Sequence, residues 1–400
     1  MFTATDRILL PTTVTGSWPR PSWFDVNLDG RSVSTAMRDN QYREKFLDAT
    51  AALVAVQERA GLDILTNGDY HHDDNLGGQS WMLYPPERLG GLDNRRPLQS
   101  NADWAYPPGT ILNEVMGGWR YPAVLGELHE DVPLELDKVW RVTQGFATAP
   151  VKIGTASAQV IGSMLVNQST HYSDDGMQLA WDLSVLVNEE LKRLAAAGCQ
   201  VIQIEDPMIH LAAASNPPRE YMDHMVNCLN REIADLDCEV WIHTCWGNPN
   251  MQRVQEDTSY APSLDDYLYR VNCDVLTLEM RDRGFAEIEL LARYKDSGKK
   301  LAVGVVSHRG LQVETGEEIA AAVRRCLQYV DADMLVLSTD CGFGRQGFNR
   351  VVAAHKAAAS VRGANIVRKE LGAQVTEPRH DRRDLQIDAM PEQAGKYSRT

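Results

Sequence analysis

Eight short apolar runs recur along the chain, most of them separated by a stretch of helical period, and nearly every one ends on polar residues. They are Leu9–Ser17, Leu62–Thr66, Val151–Ile153, Val201–Ile204, Glu239–Trp246, Val275–Leu278, Leu301–Val306 and Met334–Leu337. Helical spacing marks Tyr42–Gly61, Leu134–Phe146, Met177–Gly198, Pro218–Asp235, Leu264–Arg270, Phe285–Tyr294 and Glu317–Val330, and Val351–Leu371 closes the series. A strand apolar throughout is buried on both faces, as in a parallel sheet covered by helices. Eight such units predict an α/β fold, a single closed (β/α)8 TIM-type barrel. The competing open doubly wound sheet lacks its glycine-rich phosphate turn after the first run.

From Tyr70 to about Pro133 the period dissolves into Gly, Pro, Trp and Tyr, with strand-like pieces near Ile111–Val115 and Tyr121–Leu128. Loops of that length are rare unless they cover or bind something. Segment 70–133 is therefore expected as a partly β insertion after the second strand, lying over the active-site end. Residues 1–375 make up the barrel unit in this reading, and 376–400 a charged, extended or disordered tail. A net charge of −15 argues against nucleic acid or an anionic membrane as the partner. No export signal or membrane-length apolar stretch stands out, so the expected location is the cytoplasm. Seven cysteines, odd in number and widely spread, fit reduced thiols there.

The chemistry gathers at the run ends. In Trp241–Trp246, W-I-H-T-C-W, His243 and Cys245 stand at i and i+2 and leave a strand on the same side. An imidazole and a thiolate suit zinc, but two ligands do not make a tetrahedral site. Alone, the pair reads as well as a core histidine beside a buried cysteine. Glu279 and Cys341 end the sixth and eighth runs and complete a four-coordinate set. Glu279 could instead pair with Arg281 or Arg283, and Cys341 could be apolar filler. Four protein ligands including one carboxylate suggest a site where an incoming thiol displaces the weakest ligand or adds as a fifth.

With T-G-S-W-P at Thr15–Pro19, I-Q-I-E-D-P at Ile202–Pro207, H-x-C at His243–Cys245, the lone Glu279, G-V-V-S-H at Gly304–His308 and D-C-G at Asp340–Gly342, the chain resembles the cobalamin-independent methionine synthase family. The resemblance is to that family's C-terminal catalytic barrel and its single-barrel relatives, which include epoxyalkane:coenzyme M transferase. It implies zinc held by His243, Cys245, Glu279 and Cys341. His308 matches the family's proton donor. The loop Thr15, Gly16 and Ser17, with the carboxylates Asp69 and Glu205 and the adjoining Asp206, matches the region that holds the amino acid part of homocysteine. The folate half departs: Gly162 and Ser163 stand where the family stacks a tryptophan on the pterin, and Leu211 stands near a family carboxylate.

The implied activity is zinc-dependent S-alkyl transfer, most simply of a methyl group to homocysteine or a similar small thiol. The donor would be a folate, a corrinoid or another carrier. Thiol addition to an epoxide is the alternative, with Arg20, Arg120 or Arg345 serving a sulfonate. A zinc-binding barrel without catalysis is the alternative of another class.

Overall fold

The computed structural model describes residues 2–74, 78–99, 107–173, 176–248, 259–344 and 348–379, with 94–99 as backbone only. In chain order the strands are β1 (Leu65–Thr66), β2 (Leu89–Gln99), β3 (Arg120–Glu130), β4 (Val151–Ala156), β5 (Val166–Asn167), β6 (Val201–Glu205), β7 (Glu239–Thr244), β8 (Val275–Leu278), β9 (Lys300–Val306) and β10 (Leu335–Thr339). β1, β4, β6, β7, β8, β9 and β10 pair in that order, all parallel. The first apolar run closes the ring, but not as a regular strand. Thr12 bridges Leu337 on β10, and Ser17 bridges Gly68 beyond β1. The Thr13 N–H donates to the Leu337 carbonyl at 2.9 Å, and the Ile64 N–H to the Thr12 carbonyl at 3.1 Å. Leu10 at φ 52° followed by Pro11 explains the interruption, since neither residue continues a pleated ladder. The architecture is thus the expected (β/α)8 barrel, with one irregular stave.

Burial follows the strand pattern. One apolar set fills the space between the strands and the outer helices. A second lies inside the ring, where Ile64, Val201, Trp241, Val275, Ala302 and Val336 pack with Ala4. Short strands apolar on both faces are required for this arrangement.

Some expectations change in detail. Ile111–Val115 is not strand-like: it lies in the helix Ile111–Gly117, whose N-cap Thr110 accepts from the Asn113 N–H. Ile111 and Val115 are i and i+4 apart, a helical spacing that the β-branched side chains disguised. Tyr121–Leu128 does fall in β3, which pairs antiparallel with β2 and parallel with β5 in a small second sheet. Leu264–Arg270 and Phe285–Tyr294 are tight turns of π and 3-10 type rather than α-helices. The helix Pro207–Ala214 was unexpected, although Asp206 as cap and Pro207 at the first position mark it. Residues 376–379 run extended against the barrel, with the Thr376 N–H on Asn365 Oδ1 at 3.1 Å; 380–400 lie outside the described residues. No helix among the described residues is long and apolar enough to cross a membrane.

The end of the barrel opposite the strand termini is plugged by residues 2–5. Glu239, buried at the start of β7, accepts from the N–H groups of Thr3, Ala4 (2.5 Å) and Thr5 (2.9 Å). Successive backbone N–H groups converging on one carboxylate form a built-in anion nest. Glu239→Ala should therefore cost about 1–3 kcal/mol, the toll of a lost charged hydrogen-bond acceptor. Urea denaturation would show this as a lower midpoint with an unchanged slope. An unchanged midpoint would mean the plug contributes nothing.

Candidate active site

The strand ends on the other side of the barrel collect the polar residues. β7 delivers His243, and Cys245 follows one residue past its end; Cys341 comes two residues after β10. The His243, Cys245 and Cys341 ligand atoms lie within 4.8 Å of one another, and all three residues are buried. The Cys341 thiol is held well below its ordinary pKa, first by the Cys245 thiol donating to it and then by His243, against the cost of burial. Cys245 moves up correspondingly. Burial opposes a charge on His243, yet Glu205, 3.8 Å away, and Cys341 raise its pKa overall. Neither ring nitrogen of His243 has a nitrogen or oxygen partner at hydrogen-bond geometry among the described residues. Two buried thiols and an imidazole, meeting one another and with no nitrogen or oxygen partner on the imidazole among the described residues, are a donor set that fits zinc.

Glu279 belongs to a neighbouring group. It is fully buried, accepts from the Trp246 N–H at 3.0 Å, and lies 3.4 Å from the Arg309 guanidinium. Its carboxylate clusters with Asp282 and His308 rather than with the other three candidates. Among the described residues the guanidinium that pairs with it is that of Arg309, 3.4 Å away. Arg309 also lies 3.9 Å from Asp282, so a guanidinium already supplies positive charge to both carboxylates.

His308, at the end of β9, is buried rather than a surface loop side chain. Its Nδ1 lies 3.0 Å from Asp282 Oδ2. Asp282 is itself fixed: Ser307 Oγ donates to it at 2.5 Å, and its own N–H donates to Asp340 Oδ2 at 2.6 Å. Against the cost of burial, His308, Ser307 and Asp340 hold the Asp282 carboxyl below its ordinary range. Asp340 further takes the Met280 and Arg281 N–H groups at 2.8 and 2.9 Å. One buried carboxylate thereby shapes the whole loop after β8.

Four of the six expected substrate contacts line one pocket: Thr15, Gly16, Asp69 and Glu205, together with His72 and Trp81 from the segment after the second strand. A Cβ placed on Gly16 would lie 3.6 Å from Asp69 Oδ2 and 4.0 Å from Glu205 Oε1, so both carboxylates face the same small volume. Burial raises the Glu205 pKa, with His243 pulling the other way. Ser17 lines the adjoining pocket with Asp69 and His72. Behind it, a Cβ on Gly342 would stand 2.1 Å from Ser17 Oγ, so the residue after Cys341 has to be glycine for the two loops to meet. Asp206 lines neither pocket. It caps the next helix through the Ile209 N–H at 3.0 Å and takes Gln159 Nε2 at 3.0 Å, with burial raising its pKa to about 6.

Sequence reasoning missed Lys152, Gln203, His72, Asp282 and Arg309. Only Lys152 carried a signal, as a charge in the middle of an apolar run. Gly162 and Ser163 border a separate cavity with Met208, Tyr221, His224 and Met225. None of Trp18, Trp81, Trp119 or Trp246 lines it. Trp246 instead packs against His210, ring centroids 3.7 Å apart, and Arg283 lies 4.9 Å over it.

Three comparisons bear on this site. Residues 10–363 match the family model described as the cobalamin-independent synthase catalytic domain. Methionine synthase of Sulfurisphaera tokodaii is 27% identical over 363 residues, covering 91% of this chain and 94% of its own; that of Sulfolobus acidocaldarius is 26% identical with the same coverage. Among solved structures, a B12-independent methionine synthase from a Shewanella species, in complex with selenomethionine, superposes with a TM-score of 0.73 at 25% identity, covering 91% of this chain and 99% of that one.

Proposed function

Because the chain belongs to the cobalamin-independent methionine synthase family, we propose that it is a zinc-dependent enzyme transferring a methyl group to the thiol of homocysteine or a similar amino thiol. The observation that carries this reading is the convergence of His243, Cys245 and Cys341 beside a pocket walled by two carboxylates. Zinc held by those three residues, with Glu279 as the fourth donor, supplies a lowered thiol pKa and hence a nucleophile at neutral pH. Glu279 would serve while its oxygens also meet the Trp246 N–H and Arg309.

The protein's own residues do the rest. Asp69 and Glu205 receive the substrate ammonium, and the Thr15–Ser17 loop fixes the amino acid end. His308, buried and oriented by Asp282, donates the proton that an amide-like nitrogen leaving group needs. Trp81 and His72 make segment 70–133 a cover that narrows the mouth and excludes water. Residues 1–375 act as one catalytic unit.

The epoxide alternative needs a cation for a sulfonate. Arg20 spends its guanidinium on the carbonyls of Tyr70 and His72, and Arg120 on those of Gly118 and Trp119. Arg345 lies outside the described residues. Lys152 and Arg20 also line these pockets, but carboxyl groups outnumber them, Asp69 and Glu205 in one and Asp69, Asp73 and Asp74 in the other, and that excess favours an amine.

The deciding experiment is a paired assay on the zinc-loaded protein. One arm offers homocysteine with methyl-folate, methyl-corrinoid and sulfonium donors; the other offers coenzyme M with a short epoxyalkane. Methionine is the expected product in the first arm. Product only in the second would replace this reading with epoxide addition, and none in either would leave a barrel without catalysis.

A further inference from the structure

One buried cation has no part in the chemistry above. Lys152, on β4, is 1% exposed and lines the pocket beside Asp69 and Glu205. Its Nζ donates to Gln203 Oε1 at 2.6 Å and lies 4.6 Å from the Trp241 ring centroid. Gln203 Nε2 donates onward to the Thr15 carbonyl at 2.8 Å and to Glu205 Oε1. An ammonium can only donate, whereas a carbonyl and a carboxylate can only accept. The Gln203 carboxamide is therefore oriented from both ends, oxygen to the lysine and NH2 to the pocket wall.

Burying an ammonium is costly, and a methionine would fill the same space without that cost. What the lysine adds is direction and charge. It sets the polarity of a bridge whose far end is the wall facing the substrate amine. The lining sets two carboxyl groups, Asp69 and Glu205, against this one amine.

We propose that Lys152 is a positioning residue for substrate selection: through Gln203 it holds Glu205 and the Thr15 carbonyl in the arrangement that accepts a primary ammonium. The pocket then takes amino thiols and their thioethers in preference to ligands ending only in an acid. This rests on the amino thiol reading given above and extends it to a residue that does not touch the reacting sulfur.

Calorimetric titration of the full-length protein tests it with three ligands that share a methylthio tail. Methionine carries amine and acid, 3-(methylthio)propylamine only the amine, and 4-(methylthio)butanoate only the acid. Lys152→Met should bind the first two at least tenfold more weakly than the parent and the third equally well, with melting temperature and zinc content kept. Lys152→Gln, a neutral polar replacement that disturbs the interior less, should show the same amine-selective loss if the methionine variant does not fold. Equal loss for all three ligands would reduce Lys152 to a structural role, and loss confined to the two acids would mean it touches the carboxylate directly; either overturns the proposal. A parent protein that binds both amines, with variants that bind them as tightly, overturns this inference alone. A parent that binds neither amine overturns the amino thiol reading and this inference with it.

Discussion

Replacing Cys341 or Cys245 by serine should strip the protein of its metal and leave the barrel standing. Each thiol is one of three buried donors within 4.8 Å of one another, and a serine hydroxyl is a poor zinc ligand at neutral pH. Changing a neighbour of a ligand costs about 10–100-fold in metal affinity, so losing a ligand outright should cost more than about 100-fold. Metal analysis of the purified variants should fall from about one zinc per chain to near zero. The core is large, so thermal unfolding should move little; a domain of this size does not depend on one ion to fold. Chelation of the parent should likewise abolish activity without unfolding it. Serine variants that keep full zinc would refute the site. Glu279→Gln should do less, because Glu279 already has the Trp246 N–H and Arg309 as partners.

His308→Asn should lower kcat by roughly 10²–10⁴-fold, the usual worth of a general acid, with thiol affinity almost unchanged. The separation follows from geometry. His308 is grouped with Asp282 and Glu279, whereas His243, Cys245 and Cys341, three of the four donors proposed to activate the thiol, form their own cluster. The discriminating measurement is the choice of donor. A sulfonium donor departs as a neutral molecule and needs no proton, so the variant should recover most of its rate with it. A nitrogen-based donor departs as an anion and should show the full loss. Equal loss with both donors in a folded variant would leave His308 as a purely structural side chain.

The run ends that sequence reading marked are at the barrel mouth for a simple reason. An apolar strand buried on both faces can place polar side chains only where it leaves the barrel, so His243, Cys245 and Cys341 could be located from the run boundaries alone. Pairing was much less legible. Glu279 stands near Arg281 and Arg283 in the chain, yet among the described residues it pairs with Arg309, on the next strand's exit, because strand adjacency and not chain distance decides which side chains meet. Asp340 read as a residue beside a ligand; its work, holding three backbone N–H groups of a loop 60 residues away, depends on β8 and β10 both flanking β9. Ile111–Val115 went wrong locally, where β-branched residues at helical spacing hid a capped turn of helix. Lys152 was visible as a charge inside an apolar run, but nothing local says that its partner is an amide on the adjacent strand.

The irregular first stave has a thermodynamic consequence. Every other seam of the ring is stitched by a ladder, while the stretch around Thr12–Ser17 is joined to its neighbours by isolated bridges. It is the natural place for the ring to open first, since its hydrogen bonds are scattered and not locked in one cooperative ladder. That same stretch carries Thr15, Gly16 and Ser17, which form one wall of the ligand pockets. A ligand gripping this wall binds the closed ring and not the open one, so occupancy and closure must favour each other by the same free energy. Amide protons along the stave should then exchange with solvent at a rate set by ligand concentration, while those of β8 and β9 report only the unfolding of the whole barrel.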